Sequence, residues 1–206
     1  MKTVVIVDYG LGNLASVASA VAHLGHEPMV TAEPDAVARA ERVILPGVGA
    51  FGDGMARLRQ RGLIAALERV AIERGRPLLG ICLGGQLLAT ESEEFGHHEG
   101  LGWLPARVVR LTPNDPTMRV PHVGWNEVRQ VAPCPLFEGI ADGALFYHMH
   151  GYRLEAAEDS IVVGETDYGG GFPSVVRRCN LYATQFHPEK SQRAGLALLA
   201  NFLERA

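Results

Sequence analysis

Short apolar runs alternate with segments in which apolar residues recur every three or four positions along the first half of the chain. The runs predict buried strands, and the recurring pattern predicts amphipathic helices. The predicted elements are a strand at 3–8, a helix at 14–24, a strand at 27–31, a short helix at 34–40, a strand at 42–45, a long helix at 55–74, a strand at 78–81 and a helix opening at 87–89. Strands that alternate with helices indicate a parallel sheet covered on both faces.

The pattern changes after residue 95, where short strands follow one another between turns rich in proline and glycine. The predicted strands lie at 103–111, 119–123, 145–148, 160–165, 173–177 and 180–184, and a final helix lies at 192–204. This order indicates a mixed or antiparallel extension of the same sheet rather than a second domain. We therefore expect residues 1–206 to form one α/β domain, with a mixed, mostly parallel central sheet flanked by helices.

Composition excludes several classes of protein. The 206 residues carry 19 basic and 23 acidic side chains, a formal net charge of −4, which does not favour nucleic-acid binding. The apolar runs are shorter than the about 18 residues of a membrane span, and the chain opens on a strand rather than a signal peptide. The three cysteines, at 82, 134 and 179, form no CxxC pair, which is typical of a cytoplasmic protein with reduced thiols.

The segment Gly80-Ile81-Cys82-Leu83-Gly84 has the G-x-C-x-G shape of a nucleophile elbow, a sharp turn from strand to helix that presents a nucleophile. Side chains two residues before and after the nucleophile would collide in such a turn, which explains the glycines. A helix amino terminus favours thiolate, and the N–H of Leu83 would point to a developing oxyanion. On this motif alone, a buried packing role for Cys82 remains an open alternative.

A histidine and a carboxylate follow near the C-terminus, in the segment His187-Pro188-Glu189. Residues two apart on an extended segment point to the same side, and the proline stiffens that geometry. The spacing suits a general base, His187, that Glu189 orients, as in a Cys-His-acid triad. A surface histidine beside a solvated glutamate is the alternative.

Two glycine-rich loops follow predicted strands. The stretch 46–55, with four glycines, would let a ligand approach the backbone and would supply a second oxyanion N–H; a flexible connector is the alternative. The G-L-G loop at 10–12, followed by Ala15, resembles a dinucleotide fingerprint, with Glu33 at nearly the right distance. Because alanine replaces the third glycine, a tight connection is favoured there. Asn13 is predicted to cap the next helix.

His148 and His150 lie two residues apart and point to one face of a strand, so they form a candidate metal pair. The nearby sequence offers no carboxylate or cysteine at ligand spacing. We therefore expect no metal there.

Several stretches together resemble a known family. The elbow and His187-Pro188-Glu189 resemble the class I, triad-type glutamine amidotransferases, whose fold is flavodoxin-like. Four segments narrow the resemblance to the glutaminase subunits of imidazole glycerol phosphate synthases: YGLGN at 9–13, PGVGAFGDGM at 46–55, PHVGWN at 121–126 and QFHPEKS at 185–191. The elbow and the H-P-E motif identify only the superfamily, whereas the second and third segments are much more specific.

The resemblance implies hydrolysis of glutamine to glutamate and ammonia, without a cofactor. It implies that Cys82 attacks the side-chain amide to form a thioester, that His187 serves as base and then as acid, and that Glu189 orients His187. The N–H groups of Leu83 and Val48 would hold the oxyanion. The positions that match substrate contacts of the family are Gln86, Glu94, Gly49 and Tyr152.

The resemblance also implies a partner, a (β/α)8-barrel cyclase subunit that forms a heterodimer with the glutaminase and receives the ammonia. A dry route makes chemical sense, because ammonia in neutral water is mostly protonated and no longer nucleophilic. The family further suggests that a peptide in 46–49 flips when the loaded partner binds. Interface or gating roles carry over to Asn13, Trp125, Tyr147 and Lys190. For the tryptophan, a core position is the alternative.

Three positions depart from the usual motifs of the family. Gly85 stands where methionine is usual, His148 where an aromatic residue is usual, and Gly151 where a residue with a hydroxyl group is usual. These departures bear on substrate affinity rather than on reaction class. Three rival interpretations are a glutaminase that feeds another synthase, a cysteine hydrolase that acts alone, and a nucleotide-binding regulatory module built on the loop at 10–15.

Overall fold

Residues 3–206 are described by a computed structural model. The strands are β1 Thr3–Val7, β2 Glu27–Thr31, β3 Val43–Gly47, β4 Leu78–Cys82, β5 Glu91–Ser92, β6 His98–Glu99, β7 Ala106–Arg110, β8 His122–Gln130, β9 Ala144–His150, β10 Tyr152–Ala156, β11 Val162–Asp167, β12 Gly171–Arg178 and β13 Leu181–Thr184. The α-helices are α1 Leu14–His23, α2 Pro34–Arg39, α3 Phe51–Gln60, α4 Leu63–Glu68, α5 Leu83–Gln86 and α6 Gln192–Arg205. None of the helices described for these residues has the length and apolar character that crossing a bilayer requires.

The central sheet has nine strands in the order β2-β1-β3-β4-β13-β12-β11-β8-β9. Neighbouring strands from β2 to β13 are parallel, and those from β13 to β9 are antiparallel. This arrangement confirms the predicted mixed sheet with an antiparallel extension. The elbow strand β4 is buried along its whole length, between β3 and β13.

Apolar residues of the parallel strands alternate between two cores, one on each face of the sheet. On β1, Val4 and Ile6 pack on the side of α1 and α6, whereas Val5 and Val7 pack on the side of α2, α3 and α4. Because side chains of a strand alternate between faces, a strand with apolar residues at every position needs cover on both sides. This explains why continuous apolar runs, not alternating ones, mark these strands in the sequence.

A second, small sheet was not predicted. Its order is β10-β7-β5-β6, and it packs against the same core as α3 and α4. Strand β10 was missed, β5 and β6 have two residues each, and β7 is shorter than the predicted strand at 103–111. Segments this short carry no periodicity, so the pairing of β5 with β6 and β7 depends on tertiary structure.

The long helix predicted at 55–74 is wrong, because the chain forms two helices there. Helix α3 begins at Phe51, inside the glycine-rich stretch, and ends before Gly62, which has a φ of 66°. Glycine adopts this left-handed conformation without strain and commonly follows the last residue of a helix. Helix α4 then continues into a π-helical turn at Arg69–Glu73.

The helix predicted to open at 87–89 is also wrong, since α5 is a single turn that ends at Gln86. The carbonyls of Leu87 and Leu88 accept hydrogen bonds from the backbone of residues 101, 103 and 104 instead of from a continuing helix. The capping prediction for Asn13 fails in part. Asn13 occupies the N-cap position of α1, but within residues 3–206 its side chain makes no capping hydrogen bond.

Several predicted strand boundaries differ from the structure, and the starts of β8 and β11 are two examples. The strand predicted at 119–123 begins only at His122 and continues to Gln130 as β8. The strand predicted at 160–165 begins as the 3-10 turn Asp159–Ile161, and β11 follows it. Both differences lie at element ends, where local preference is weakest.

Candidate active site

The sharpest backbone feature of the site is Cys82, at the junction of β4 and α5. It has φ 52° and ψ −115°, and its residue is 7% exposed. A residue other than glycine in such a conformation costs on the order of 1–3 kcal/mol, and such strain concentrates at functional sites. The structure therefore has the strained strand-to-helix turn that the G-x-C-x-G motif predicts.

The glycines around Cys82 are required by space. A Cβ atom on Gly84 would lie 1.8 Å from the carbonyl oxygen of Leu45, and one on Gly80 would lie 2.5 Å from the Cα of Gly85. Both contacts involve backbone, which cannot move aside cheaply. A Cβ on Gly85 would lie 2.9 Å from the Cβ of Ala183, so a side chain at this unusual glycine would also need its neighbour to shift.

His187 and Glu189 follow β13, the strand beside the elbow strand. The Nδ1 atom of His187 lies 2.9 Å from Oε1 of Glu189, and their side chains are 2% and 1% exposed. The turn is fixed by Ser191, whose hydroxyl donates to the carbonyl of His187 at 2.6 Å and accepts from the backbone N–H of Tyr147 at 2.9 Å. The alternative of a solvated surface histidine is excluded by this burial.

The electrostatic surroundings of His187 favour its protonated form. Burial alone would lower its pKa, but the side chains of Cys82 and Glu189 outweigh burial and raise the pKa to about 10. The free ring nitrogen, Nε2, is buried and has no aligned hydrogen-bond partner within residues 3–206. Cys82 is thus close enough to influence the imidazole strongly without an aligned hydrogen bond, which is common before substrate binds.

Gln185 belongs to this site, and sequence reasoning missed it as a site residue. Its amide nitrogen lies 3.9 Å from Sγ of Cys82, within reach of a weak hydrogen bond to sulfur. Its amide oxygen accepts from Nε2 of Gln86 at 3.1 Å, and that nitrogen also donates to the carbonyl of Tyr152 at 3.0 Å. The side-chain amides of Gln185 and Gln86 therefore link Cys82 to β10 of the small sheet through hydrogen bonds.

A cavity of about 210 Å³ opens directly on Cys82. This volume is below the ~300–1,000 Å³ typical of pockets for drug-sized ligands, and it suits a ligand of amino-acid size. The structure brings together Cys82, Leu83, Val48, Gly49, Gln86, Glu94 and Tyr152, all of which were predicted from the sequence. It adds Pro121, Met149 and His150, which were not predicted, and it places Gly151, one of the three departures linked to substrate affinity, in the same lining.

Glu94 has two roles in the geometry of the pocket. Its carboxylate accepts a hydrogen bond of 2.7 Å from the backbone N–H of Phe51, the first residue of α3, and it also lines the cavity. Burial raises the pKa of Glu94 above its ordinary value, and the hydrogen bond from Phe51 offsets part of that rise. A carboxylate in this position suits a cationic group of a ligand.

The residues expected at a partner interface lie on the surface near this site. Trp125 on β8 is 44% exposed, so the alternative of a core tryptophan is wrong. Its ring meets that of Tyr147 edge-on at 6.0 Å, and Nζ of Lys190 lies 5.9 Å from the centre of the tyrosine ring. Asn13 is partly buried at the start of α1, and α1 contacts the 3-10 turn Pro188–Lys190.

The G-L-G loop at 10–12 is packed by side chains rather than open. A Cβ on Gly10 would lie 2.9 Å from a guanidinium nitrogen of Arg57, and one on Gly12 would lie 3.4 Å from the carbonyl of Pro46. Arg61 also donates to the carbonyl of Asp8 at 3.2 Å. This packing fits a tight strand-to-helix connection and does not favour a dinucleotide site.

A larger cavity, of about 740 Å³, lies at the amino ends of the parallel strands. Its lining includes Arg39, Arg42 and Arg76 but neither the cysteine nor the histidine of the elbow region. In open α/β sheets, ligands bind outside the carboxyl ends of the strands, which is where Cys82 lies. The smaller cavity is therefore the candidate active site.

A cysteine on a strained elbow, beside a histidine that is held by a glutamate, defines the class of triad cysteine hydrolases and transferases. Residues 5–206 match the family model described as Glutamine amidotransferase class-I, and the chain belongs to that family. Solved structures agree on the fold. A crystal structure of a glutamine amidotransferase has a TM-score of 0.75 at 22% identity over 97% of both chains, and PurLQS from Thermotoga maritima has a TM-score of 0.78 at 20% identity over 98% of both chains.

Relatives with curated names show which members of this family the chain resembles in sequence. The "Imidazole glycerol phosphate synthase subunit HisH" of Moorella thermoacetica is 51% identical, over 99% of this chain and 95% of its own. The subunit of the same name from Caulobacter vibrioides is 48% identical, over 99% of both chains. These relatives confirm the resemblance to subunits of imidazole glycerol phosphate synthase that the sequence motifs indicated.

Proposed function

We propose that this chain is the glutaminase subunit of an imidazole glycerol phosphate synthase, built as a single catalytic domain. The observation that carries the proposal is the arrangement of His187 between Glu189, at 2.9 Å, and the strained Cys82, beside a cavity of amino-acid size. The family is that of the glutamine amidotransferases, and the relatives are named as subunits of imidazole glycerol phosphate synthase. We therefore infer that the substrate is glutamine and that the pathway is histidine biosynthesis. No cofactor takes part in the chemistry.

Acylation starts with attack of the Cys82 sulfur on the side-chain amide carbon of glutamine. The carbonyl oxygen takes the negative charge, and the N–H groups of Leu83 and Val48, both at the cavity wall, are the proposed donors to it. His187 then gives its proton to the leaving nitrogen, so that ammonia departs and a glutamyl thioester remains. The high pKa of His187 fits a histidine that is already protonated when the thiolate attacks.

Deacylation reverses the role of the histidine. Neutral His187 takes a proton from water, the resulting hydroxide attacks the thioester, and glutamate leaves as the Cys82 sulfur regains its charge. Glu189 keeps the proton of the imidazole on Nδ1, so that Nε2 exchanges protons with substrate in both steps. Gln185 helps to hold the sulfur in place through its amide nitrogen.

The proposed oxyanion hole depends on the loop that follows β3. Gly49 has a φ of 116°, in a region that residues with side chains rarely adopt, and a Cβ atom placed on it would approach the side chain of Leu11 no closer than 3.8 Å. A peptide beside such a glycine can turn over at low cost. We propose that this turn is coupled to the partner, so that the hole is completed only in the loaded complex.

The proposed partner is a cyclase subunit that uses the ammonia, and the hairpin of β8 and β9 is the proposed contact surface. Its outer face exposes Val123 by 56%, Trp125 by 44%, Leu145 by 51% and Met149 by 38%. Val123 pairs with Met149 across the two strands, and Trp125 pairs with Tyr147, so these side chains form one continuous apolar surface. Surfaces with aromatic anchors of this kind are typical of interfaces.

The test is glutamate release from glutamine by the purified chain, alone, with a cyclase subunit, and with the cyclase and its nucleotide ligand. We expect low activity alone and strong stimulation by the loaded complex. Full activity without any partner would replace the proposal with a cysteine hydrolase that acts alone. Stimulation by a different synthase, and not by the cyclase, would assign the chain to another glutaminase pathway.

A further inference from the structure

Three buried histidines form a cluster beside the active-site cavity that the glutaminase reaction does not use. His122 lies on β8, and His148 and His150 lie on β9, where the register pairs His122 with His150. The residues are 2%, 0% and 6% exposed. One nitrogen from each ring lies within 4.8 Å of one nitrogen from each of the others. Sequence spacing alone identified only the pair on β9 and, with no carboxylate or cysteine at ligand spacing nearby, predicted no metal there.

The hydrogen bonds fix where the protons lie. Nδ1 of His150 lies 2.9 Å from the carbonyl oxygen of Tyr152, so it carries a proton and leaves Nε2 as a free lone pair. That lone pair lies 3.1 Å from Nδ1 of His148, which is therefore the donor. Nε2 of His148 is then an acceptor, and it is buried without a partner within residues 3–206, as is Nδ1 of His122.

This arrangement is incomplete as a hydrogen-bond network. A buried polar atom without a partner costs about 1–3 kcal/mol, and an ion bound by Nδ1 of His122 would remove that cost at one of the two atoms. Imidazole nitrogens with a free lone pair, buried side by side, are the ligands that first-row transition-metal ions take most often in proteins.

We propose that His122, His148 and His150 bind one divalent first-row transition-metal ion of the Zn²⁺ type. The N···N distance of 3.1 Å between His148 and His150 is close to the ~3.3 Å edge of a tetrahedron with Zn–N bonds of about 2.0–2.1 Å. The carbonyl of Tyr152 holds the far side of the His150 ring, as second-sphere acceptors do in metal sites.

Binding requires two local changes. The proton between His148 and His150 moves to Nε2 of His148, so that both facing nitrogens offer lone pairs to the ion. His122 stacks on His148 with 4.6 Å between ring centres and 18° between planes. Tyr168 also stacks on His122, with 3.9 Å between ring centres. Since lone pairs lie in the ring plane, the rings of His122 and Tyr168 must turn together for the nitrogen of His122 to face the ion. Around the cluster, the rings of Phe172 and Phe186 form an apolar shell.

The ion enters through the active-site cavity, because His150 lines that cavity together with Cys82. Three protein ligands leave a fourth position for water. The binding test needs no catalysis, so it is independent of the proposed glutaminase function. Cys82 and His187 are themselves metal ligands by type, and the test removes the cysteine for that reason.

The experiment is calorimetric titration of the tag-free full chain with zinc chloride, in a Cys82→Ala background, with cobalt chloride absorption as a second readout. We expect one ion per chain and a tetrahedral Co²⁺ spectrum. Adding His148→Phe, which keeps an aromatic ring of similar size, should weaken affinity by at least about 100-fold, since a ligand matters more than the second-shell groups worth 10–100-fold. The matched control is His97→Phe, at an exposed histidine, and it should change nothing.

Equal affinity in the His148→Phe and control proteins would overturn the proposal. So would a Cys82→Ala protein that binds no ion, because the catalytic pair would then be the metal site. Circular dichroism checks that each variant is folded. If the phenylalanine variant does not fold, His122→Gln decides, and it too must lose the tetrahedral Co²⁺ spectrum for the proposal to stand.

Discussion

Nδ1 of His187 and Oε1 of Glu189 lie 2.9 Å apart, and almost no part of either side chain reaches solvent. This contact uses one ring nitrogen of the histidine and leaves the other for Cys82. The carboxylate is buried, so its charge is poorly screened and acts strongly on the imidazole. Glu189, two residues after His187 in the chain, thus both orients the base and stabilises its charged form.

Replacing Glu189 with glutamine tests that role. The variant keeps the size of the side chain but removes its charge and lets the amide nitrogen face Nδ1, which favours the wrong tautomer. We expect kcat for glutamate release in the loaded complex to fall by about 10³–10⁴, as in other triads whose acid is replaced by its amide. Glu68→Gln, at an exposed position on α4, is the control. A fall of less than tenfold would mean that Glu189 does not orient the base.

The space around Gly84 predicts a large effect on stability. Gly84→Ala would place a Cβ atom 1.8 Å from the carbonyl of Leu45, so the elbow must move away from β3. We expect a loss of about 3 kcal/mol or more in the free energy of unfolding, measured by urea denaturation. Gly171→Ala, where nothing lies within 4 Å, should change it by about 0.5 kcal/mol or less. Similar values for the two variants would contradict the packing described.

The raised pKa of His187 predicts a pH dependence with a definite sign. Its folded-state pKa of about 10 lies above the ordinary 6.5, so the protonated ring stabilises the fold fully below pH 6.5. That contribution is lost as pH rises through about 10. Histidine NMR should show His187 protonated well above pH 8, and Cys82→Ala should lower the pKa of His187, because the side chain of Cys82 is one of the two groups that raise it.

Cys134→Ala is the control for that titration, since Cys134 is a second free cysteine and is not among the groups that shift the pKa of His187. It should leave the His187 titration curve unchanged. A curve in the Cys82→Ala protein that overlays the wild-type curve would show that the two residues do not interact.

The exposure of Trp125 predicts that its replacement affects binding of the cyclase subunit more than the stability of the fold. Because its ring is 44% exposed, Trp125→Ala should change the free energy of unfolding by less than about 1 kcal/mol. It should weaken binding of the cyclase subunit by about 2 kcal/mol or more, roughly 30-fold, as expected for an aromatic anchor. Ile72→Ala removes a similarly exposed apolar side chain, 47% exposed, away from the hairpin. If calorimetry gives the same affinity for the cyclase subunit in the Trp125→Ala and Ile72→Ala variants, the interface lies elsewhere.

Features that depend on neighbouring residues could be predicted from the sequence. The elbow at Cys82 is a local steric problem, so its glycines reveal it, and the apolar runs reveal the parallel strands because both faces of those strands are buried. The prediction of one long helix at 55–74 was wrong for a local reason as well. Gly62 lies within an amphipathic pattern that continues beyond it, and periodicity alone does not reveal that the backbone turns left-handed there.

Features created by tertiary contacts could not be predicted. Gln185 reaches the thiol only because β13 lies beside β4, and nothing in its own neighbourhood signals this contact. His122 joins His148 and His150 only through the register of β8 with β9. The strands of the small sheet are too short to carry a pattern and are fixed by the strands they pair with.

The most direct measurement of the central claim is the covalent state of Cys82 during turnover. The loaded complex is mixed with glutamine, stopped in acid within one turnover and examined by peptide mass spectrometry. We expect a glutamyl group on the peptide that contains Cys82, and its disappearance as glutamate is released. Steady glutamate release by the Cys82→Ala protein, or a glutamyl group on another residue, would contradict the proposed nucleophile and the mechanism built on it.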